Sequence, residues 1–244
     1  MANFYQTILS HQSKGNKQIA VLVDPDKLSL KGLDAFAKRL NQSVIDYIFV
    51  GGSLLAIDSL ETVIKTLKKH TQKPIIIFPG SNWHLSEEAD ALLLLSLVSG
   101  RNPDLLIGKH VEIAPILKQK KIEILSTAYV LIDGGKDTTV SYISNTKPIP
   151  ADKPQLAAAT AIAAEMIGMK CTYLDAGSGA NNPVSNEMIA SVAKHTNTPL
   201  IVGGGIRSID KITKAHQAGA DIVVIGNYIE EHPNFLTQIN NELK

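Results

Sequence analysis

Only one cysteine, Cys171, occurs in the chain, so no intrachain disulfide can form. It opens the run Cys171-Thr172-Tyr173-Leu174 and reads as a buried structural thiol rather than a reactive one. Charge of one sign is also scarce: 24 Lys and Arg stand against 23 Asp and Glu, a balance of +1. That balance excludes bulk attraction to nucleic acid, and no basic stripe interleaved with aromatics restores it. The longest apolar runs, such as Ala91 to Leu95, are far too short to span a bilayer. The first residues lack the charged-then-apolar pattern of a secretory leader. A cytoplasmic protein is therefore expected, with room for a peripheral contact with membrane lipid. No His, Cys or Glu spacing matches a zinc site.

What is present is an ordinary globular composition, 44% apolar and 19% charged, over 244 residues. That length is near the usual size of one α/β barrel and buries a core without staples. Apolar runs alternate with helical periodicity. Strands are expected at 19–23, 45–50, 74–78, 91–95, 122–132, 172–174, 199–202 and 221–225, and helices at about 30–40, 54–70, 103–119, 153–167, 185–195, 209–218 and 228–240. Alternating β and α units imply a parallel sheet, and eight strands suggest closure into a (βα)8 barrel. Two units break the rhythm. The short stretch from Pro79 to Asp90 leaves little room for a full helix between the third and fourth strands. Residues 133–152 form a long polar excursion of the kind used as lids or binding loops. No linker or change of composition appears, so residues 1–244 read as one domain.

Three glycine-bearing segments follow the last three strands: Tyr173-Leu174-Asp175-Ala176-Gly177-Ser178-Gly179, Gly203-Gly204-Gly205 and Gly226-Asn227. Glycine lets backbone N–H groups approach an anion, and a helix N-terminus adds favourable partial charge. Three such turns in register suggest one phosphate pocket at the C-terminal face of a barrel. Asp24, after the first strand, and Ser53, after the second, point to the same rim. A carboxylate, a hydroxyl and diphosphate oxygens make a plausible Mg²⁺ shell; the alternative is that Asp24 and Ser53 cap the helices that follow. Asp175 interrupts a phosphate-binding turn, which suits a general base for a neighbouring hydroxyl; the alternative is a turn cap. Arg101 could grip a diphosphate bidentately or merely be exposed. His84, His110, His195 and His216 are scattered, and no nucleophile–base pair or catalytic lysine stands out.

Taken together, residues 23–27, 49–53, 78–81, 95–103, 173–180, 203–207 and 226–227 resemble the geranylgeranylglyceryl phosphate synthases and their bacterial relatives. Tyr142 to Pro150 is similar to the larger-oligomer branch of that family. The resemblance implies an α/β fold, a modified (βα)8 TIM barrel whose third helix is replaced by an extended segment. It implies Mg²⁺-dependent transfer of a polyprenyl group from its diphosphate to the sn-3 hydroxyl of sn-glycerol 1-phosphate. On that reading Asp24 and Ser53 serve the metal and diphosphate. Glycerol phosphate sits on Tyr173, Leu174, Asp175, Ala176, Gly177, Ser178, Gly179, Gly204, Gly205, Gly226 and Asn227, and Asp175 accepts the proton. A homo-oligomer, dimer or hexamer, is also implied. The chain departs from the family twice: Asp175 stands where Glu is usual, and Leu22 where some relatives carry Lys. A prenyl tail needs an apolar groove, which a missing third helix could open, with Trp83 and Tyr129 as candidates for closing it. Competing readings are a phosphosugar isomerase or aldolase, which would need a base or lysine on the early strands, and a phosphate-binding barrel without catalysis.

Overall fold

The computed structural model describes residues 3–27, 30–52, 59–226, 228–232 and 234–243. Eight parallel strands form a closed barrel: β1 Gln18–Val23, β2 Tyr47–Gly51, β3 Ile75–Phe78, β4 Ala91–Leu97, β5 Glu123–Leu131, β6 Cys171–Asp175, β7 Leu200–Gly203 and β8 Ile222–Ile225. Closure comes from β8 pairing with β1, Gln18 opposite Ile222 through Val21 opposite Ile225. These runs hold β-branched and aliphatic residues at nearly every position, because a barrel strand is buried on both faces.

The alternation of side chains separates two apolar layers. Ala20, Phe49, Ile76, Leu93, Tyr129, Tyr173 and Val224 fill the barrel interior. Val21, Ile48, Ile77, Leu174 and Val202 face outward to meet the helices. Those helices are α2 Leu30–Asn41, α3 Leu60–His70, α4 Lys109–Gln119, α5 Thr139–Ser144, α6 Pro154–Met166, α7 Asn186–His195, α8 Ile209–Gln217, α9 Tyr228–Glu231 and α10 Asn234–Glu242.

Residues 79–90 contain no helix, as their brevity suggests. Other details differ from the sequence reading. A helix α1, Phe4–Ser13, precedes β1. Its buried residues are Phe4 and Ile8, one turn apart, and both join the interior cluster at the N-terminal end of the barrel. The Glu123 carboxylate accepts the backbone N–H groups of Phe4 (2.6 Å) and Tyr5 (3.0 Å), which no helix partner can satisfy. The helix expected at 103–119 opens with a π-helical turn, Asp104–Gly108. The last helix is two pieces, α9 and α10, with His232 outside both. The start of the helix expected from residue 54 lies outside the described residues. Cys171 is fully buried in the interior, and burial pushes its thiol up to about 12, so it stays protonated and structural.

Candidate active site

The strand alternation decides which residues of the glycine-rich segment after β6 face the cavity. Tyr173 and Asp175 point inward, whereas Leu174 and Ala176 belong to the layer beneath the helices. Register places Tyr129 of β5 opposite Tyr173. The Tyr129 hydroxyl donates to Asp175 Oδ2 at 2.5 Å, and the Gly177 N–H donates to Asp175 Oδ1 at 2.7 Å. Asp175 is only 8% exposed. Burial raises its pKa above the ordinary carboxylate value, while the bonds from Tyr129 and Gly177 pull it down. Burial, followed by the Asp175 charge, pushes the Tyr129 phenol well above its ordinary range, so that oxygen keeps its proton and remains the donor. Each Asp175 oxygen still has a lone pair for a substrate hydroxyl.

A polar cavity of about 400 Å³ lies over these groups, at the C-terminal ends of the strands. Gly177, Ser178, Gly179, Gly204, Gly205 and Gly226 line it, with Asp24 across the opening. Two of the glycine turns are fused. Gly204 has φ +84°, and a Cβ there would stand 2.7 Å from both Asp175 Oδ1 and the Gly177 nitrogen. The Ala176 N–H donates to the Gly203 carbonyl at 3.1 Å. The Ala176 N–H thus ties the two turns together, while the Gly177 N–H is spent on Asp175 within its own turn. Asn227 and Ser53 lie outside the described residues.

Asp24 Oδ1 accepts the Asp26 N–H at 3.1 Å, and Oδ2 pairs with Lys27 at 3.2 Å. Its carboxylate thus closes a local turn at residues 24–26, ahead of α2, and also faces the cavity. Among the described residues no group of three His, Cys, Asp or Glu forms a metal cage. Mg²⁺ takes one or two carboxylates and fills its shell with phosphate oxygens and water, so a single carboxylate on an open cavity is a fitting donor set.

Behind it, Glu230 Oε1 accepts the Asp24 N–H at 3.2 Å. Burial pushes Glu230 up to about 7; the Asp24 N–H and Lys27 lower it, and the Asp24 and Glu231 charges raise it. The folded state then binds this proton more tightly than the unfolded chain. Its contribution to stability is fully present below the ordinary value of 4.5 and is lost as pH rises through about 7. Glu230→Gln keeps an oxygen acceptor without the charge. In the absence of divalent metal it should melt several degrees above wild type at pH 8.5 and together with it at pH 4. Thermal denaturation at both pH values checks this, and equal offsets at the two would refute it.

A second cavity, about 160 Å³ and mostly apolar, runs beside the first. Leu94, Leu95, Leu105, Ile113, Leu117 and Val140 line it, between the helix-free segment 79–85 and α4. Phe78 lines both cavities. Tyr129 lines the apolar one and holds Asp175, which lines the polar one. Phe78, Tyr129 and Tyr173 pack ring to ring at centroid distances of 5.3 to 6.0 Å, forming the partition.

Other candidates fall elsewhere. Arg101 folds back, donating to the carbonyls of Val98 (3.4 Å) and Gly100 (2.7 Å), and lines neither cavity. Trp83 is 67% exposed and does not line the groove, whereas Tyr129 does. His84 and His110 line the groove; His110 Nε2 stands 2.9 Å from the Leu95 carbonyl oxygen. His195 bonds within its own helix and His216 contacts the Gln18 carbonyl. The sequence reading missed Arg207, Glu231 and His232, which line the polar cavity, and the Tyr129–Asp175 bond. The inward register of β5 against β6 would have paired those two strands' tyrosines.

The PcrB family model matches residues 12–243. The geranylgeranylglyceryl phosphate synthase of Spirosoma linguale is 50% identical over 234 residues, 96% of this chain and 94% of its own. That of Pyrococcus furiosus is 42% identical over 211 residues, covering 86% and 83%. The crystal structure of (S)-3-O-geranylgeranylglyceryl phosphate synthase from Thermoplasma acidophilum, in complex with its substrate sn-glycerol-1-phosphate, superposes with a TM-score of 0.92 at 32% identity. That match covers 98% of this chain and 96% of the other.

Proposed function

This chain belongs to the PcrB family, and on that premise we propose that it is a Mg²⁺-dependent prenyltransferase joining a polyprenyl diphosphate to the sn-3 hydroxyl of sn-glycerol 1-phosphate. Geranylgeranyl diphosphate is the proposed donor, from the names of the relatives. One observation carries the reading: Asp175 stands where a polar, glycine-lined cavity meets an apolar groove. The proposed reaction has that division, a phosphorylated alcohol on one side and a hydrocarbon tail on the other.

In the proposed mechanism the phosphate monoester rests on the turns at Gly177 to Gly179, Gly204-Gly205 and Gly226-Asn227. Its hydroxyl then faces Asp175, and the prenyl tail lies along Leu95, Leu105 and Ile113. Asp175 accepts the hydroxyl proton as the oxygen bonds to the allylic carbon, and the carbon–diphosphate bond breaks. Tyr129 fixes the carboxylate from behind, which keeps one oxygen aimed at the hydroxyl. The aromatic partition of Phe78, Tyr129 and Tyr173 presents π faces near the carbon that becomes cation-like. Asp24, with Ser53, would hold Mg²⁺, which when bound neutralises charge on the departing diphosphate.

Product formation tests this. Prenyl ether from sn-glycerol 1-phosphate with Mg²⁺, and none with chelator or with the opposite enantiomer, is expected. No product with any donor length refutes it. Asp24→Asn should weaken Mg²⁺-dependent diphosphate binding by about tenfold or more, the scale of one lost charged ligand. Titration calorimetry reads this, and unchanged metal dependence would remove Asp24 from the role. We extend the proposal to a homo-oligomer, dimer or hexamer; light scattering giving a monomer would contradict it. No helix among the described residues is long and apolar enough to cross a membrane.

A further inference from the structure

We propose that Lys136, on the loop after β5, is an anion-binding residue of the polar cavity and forms with Arg207 and Lys211 a cationic rim selective for a phosphate dianion. The inference rests on the reading of the glycine turns as a phosphate site. The loop is latched to the first of those turns. The Gly134 carbonyl accepts the N–H groups of Asn181 and Asn182, both at 3.0 Å, and Asn181 Nδ2 donates to the Gly135 carbonyl at 3.1 Å. The Thr138 side chain packs into the space a Cβ at Gly177 would take, 2.7 Å away. This latch sets Lys136 Nζ 3.3 Å from where a Cβ of Gly179 would be. Gly179 has φ +71° and lines the cavity, so the ammonium is one side-chain rotation from an anion seated on that turn.

Two more cations converge from other segments. Arg207 lines the cavity and donates Nη2 to the Ala180 carbonyl at 2.9 Å. Lys211 Nζ reaches the Gly205 carbonyl at 3.4 Å. Among the described residues none of the three is ion-paired with a carboxylate, while Lys17, Lys27, Lys65, Lys68, Lys120, Lys153 and Lys214 all are. Backbone carbonyls position Arg207 and Lys211 without cancelling their charge. Asp24 and Glu231 place negative charge at the opposite lip, and the buried Asp175 carboxylate sits at the foot of the first turn, so the outer rim of the glycine turns is positive while the lip and the floor are negative. A dianion is drawn to one end only, which fixes its orientation with the hydroxyl inward.

The test is calorimetric binding of inorganic phosphate and of sn-glycerol 1-phosphate at low and high ionic strength. Lys136→Met should weaken both by about three- to tenfold and flatten the salt dependence, with Lys136→Arg near wild type. Adding Lys211→Met should flatten it further. Lys136 is exposed, so these variants should fold, and melting curves verify it. Unchanged affinity and salt slope in Lys136→Met would overturn the proposal. So would a wild type that binds no phosphate, or a loss that Arg fails to restore. Salt-dependent phosphate binding without any prenyl ether product would leave the rim standing and remove the transferase reading instead.

Discussion

Replacing Asp175 by Asn is expected to lower turnover by about 10²- to 10⁴-fold, the usual worth of a positioned general base. Affinity for glycerol phosphate should move far less. The geometry explains the split. Asn is isosteric, so one oxygen can still accept the Gly177 N–H, and the Tyr129 hydroxyl can turn to accept from the new amide. The turn keeps its shape while the proton acceptor is gone. Steady-state kinetics with separate calorimetry of glycerol phosphate reads both quantities. Equal losses in turnover and binding would show that Asp175 holds the turn rather than takes a proton. Asp175 also fits its place closely: its two oxygens meet Tyr129 and Gly177 at 2.5 and 2.7 Å.

Gly204→Ala carries the second large effect. A side chain at φ +84° costs roughly 1–2 kcal/mol by itself. The new Cβ would also stand 2.7 Å from Asp175 Oδ1 and from the Gly177 nitrogen, contacts that must be relieved by moving one turn off the other. Overpacking of this kind costs about 1–3 kcal/mol more. The variant should melt well below wild type and lose most of its phosphate affinity, because the displaced backbone is the proposed phosphate surface. Ala at Gly168, where φ is +90° but nothing stands within 4 Å, is the control: it should lose stability without losing phosphate. If Gly204→Ala binds phosphate as wild type does, the fused turns are not the site.

The barrel was legible because its strands are apolar on both faces and its helices on one, so the two periods alternate plainly along the chain. The glycine turns were legible because three followed three consecutive strands. What the sequence hid depends on closeness in space. Tyr129 and Asp175 are 46 positions apart, and only the β5–β6 register makes them partners. Lys136 sits in a polar stretch that gives no periodic signal, and it gains meaning from the hydrogen bonds of Gly134 to the turn. Arg101 shows the converse. It follows a strand in the manner of a ligand, yet its own loop carbonyls satisfy it. The helix α1 escaped because its apolar residues, Phe4, Tyr5, Ile8 and Leu9, span little more than one turn, too short a stretch to mark a face.

The most direct test is a crystal structure with sn-glycerol 1-phosphate and an unreactive geranylgeranyl thiodiphosphate bound together. The expected result has the phosphate on the turns at Gly177 to Gly179 and Gly204-Gly205, the tail in the groove by Leu95 and Ile113, and the sn-3 oxygen about 2.6–3.2 Å from Asp175. A tail outside that groove, or a hydroxyl turned away from Asp175, would contradict the junction on which the proposed reaction depends.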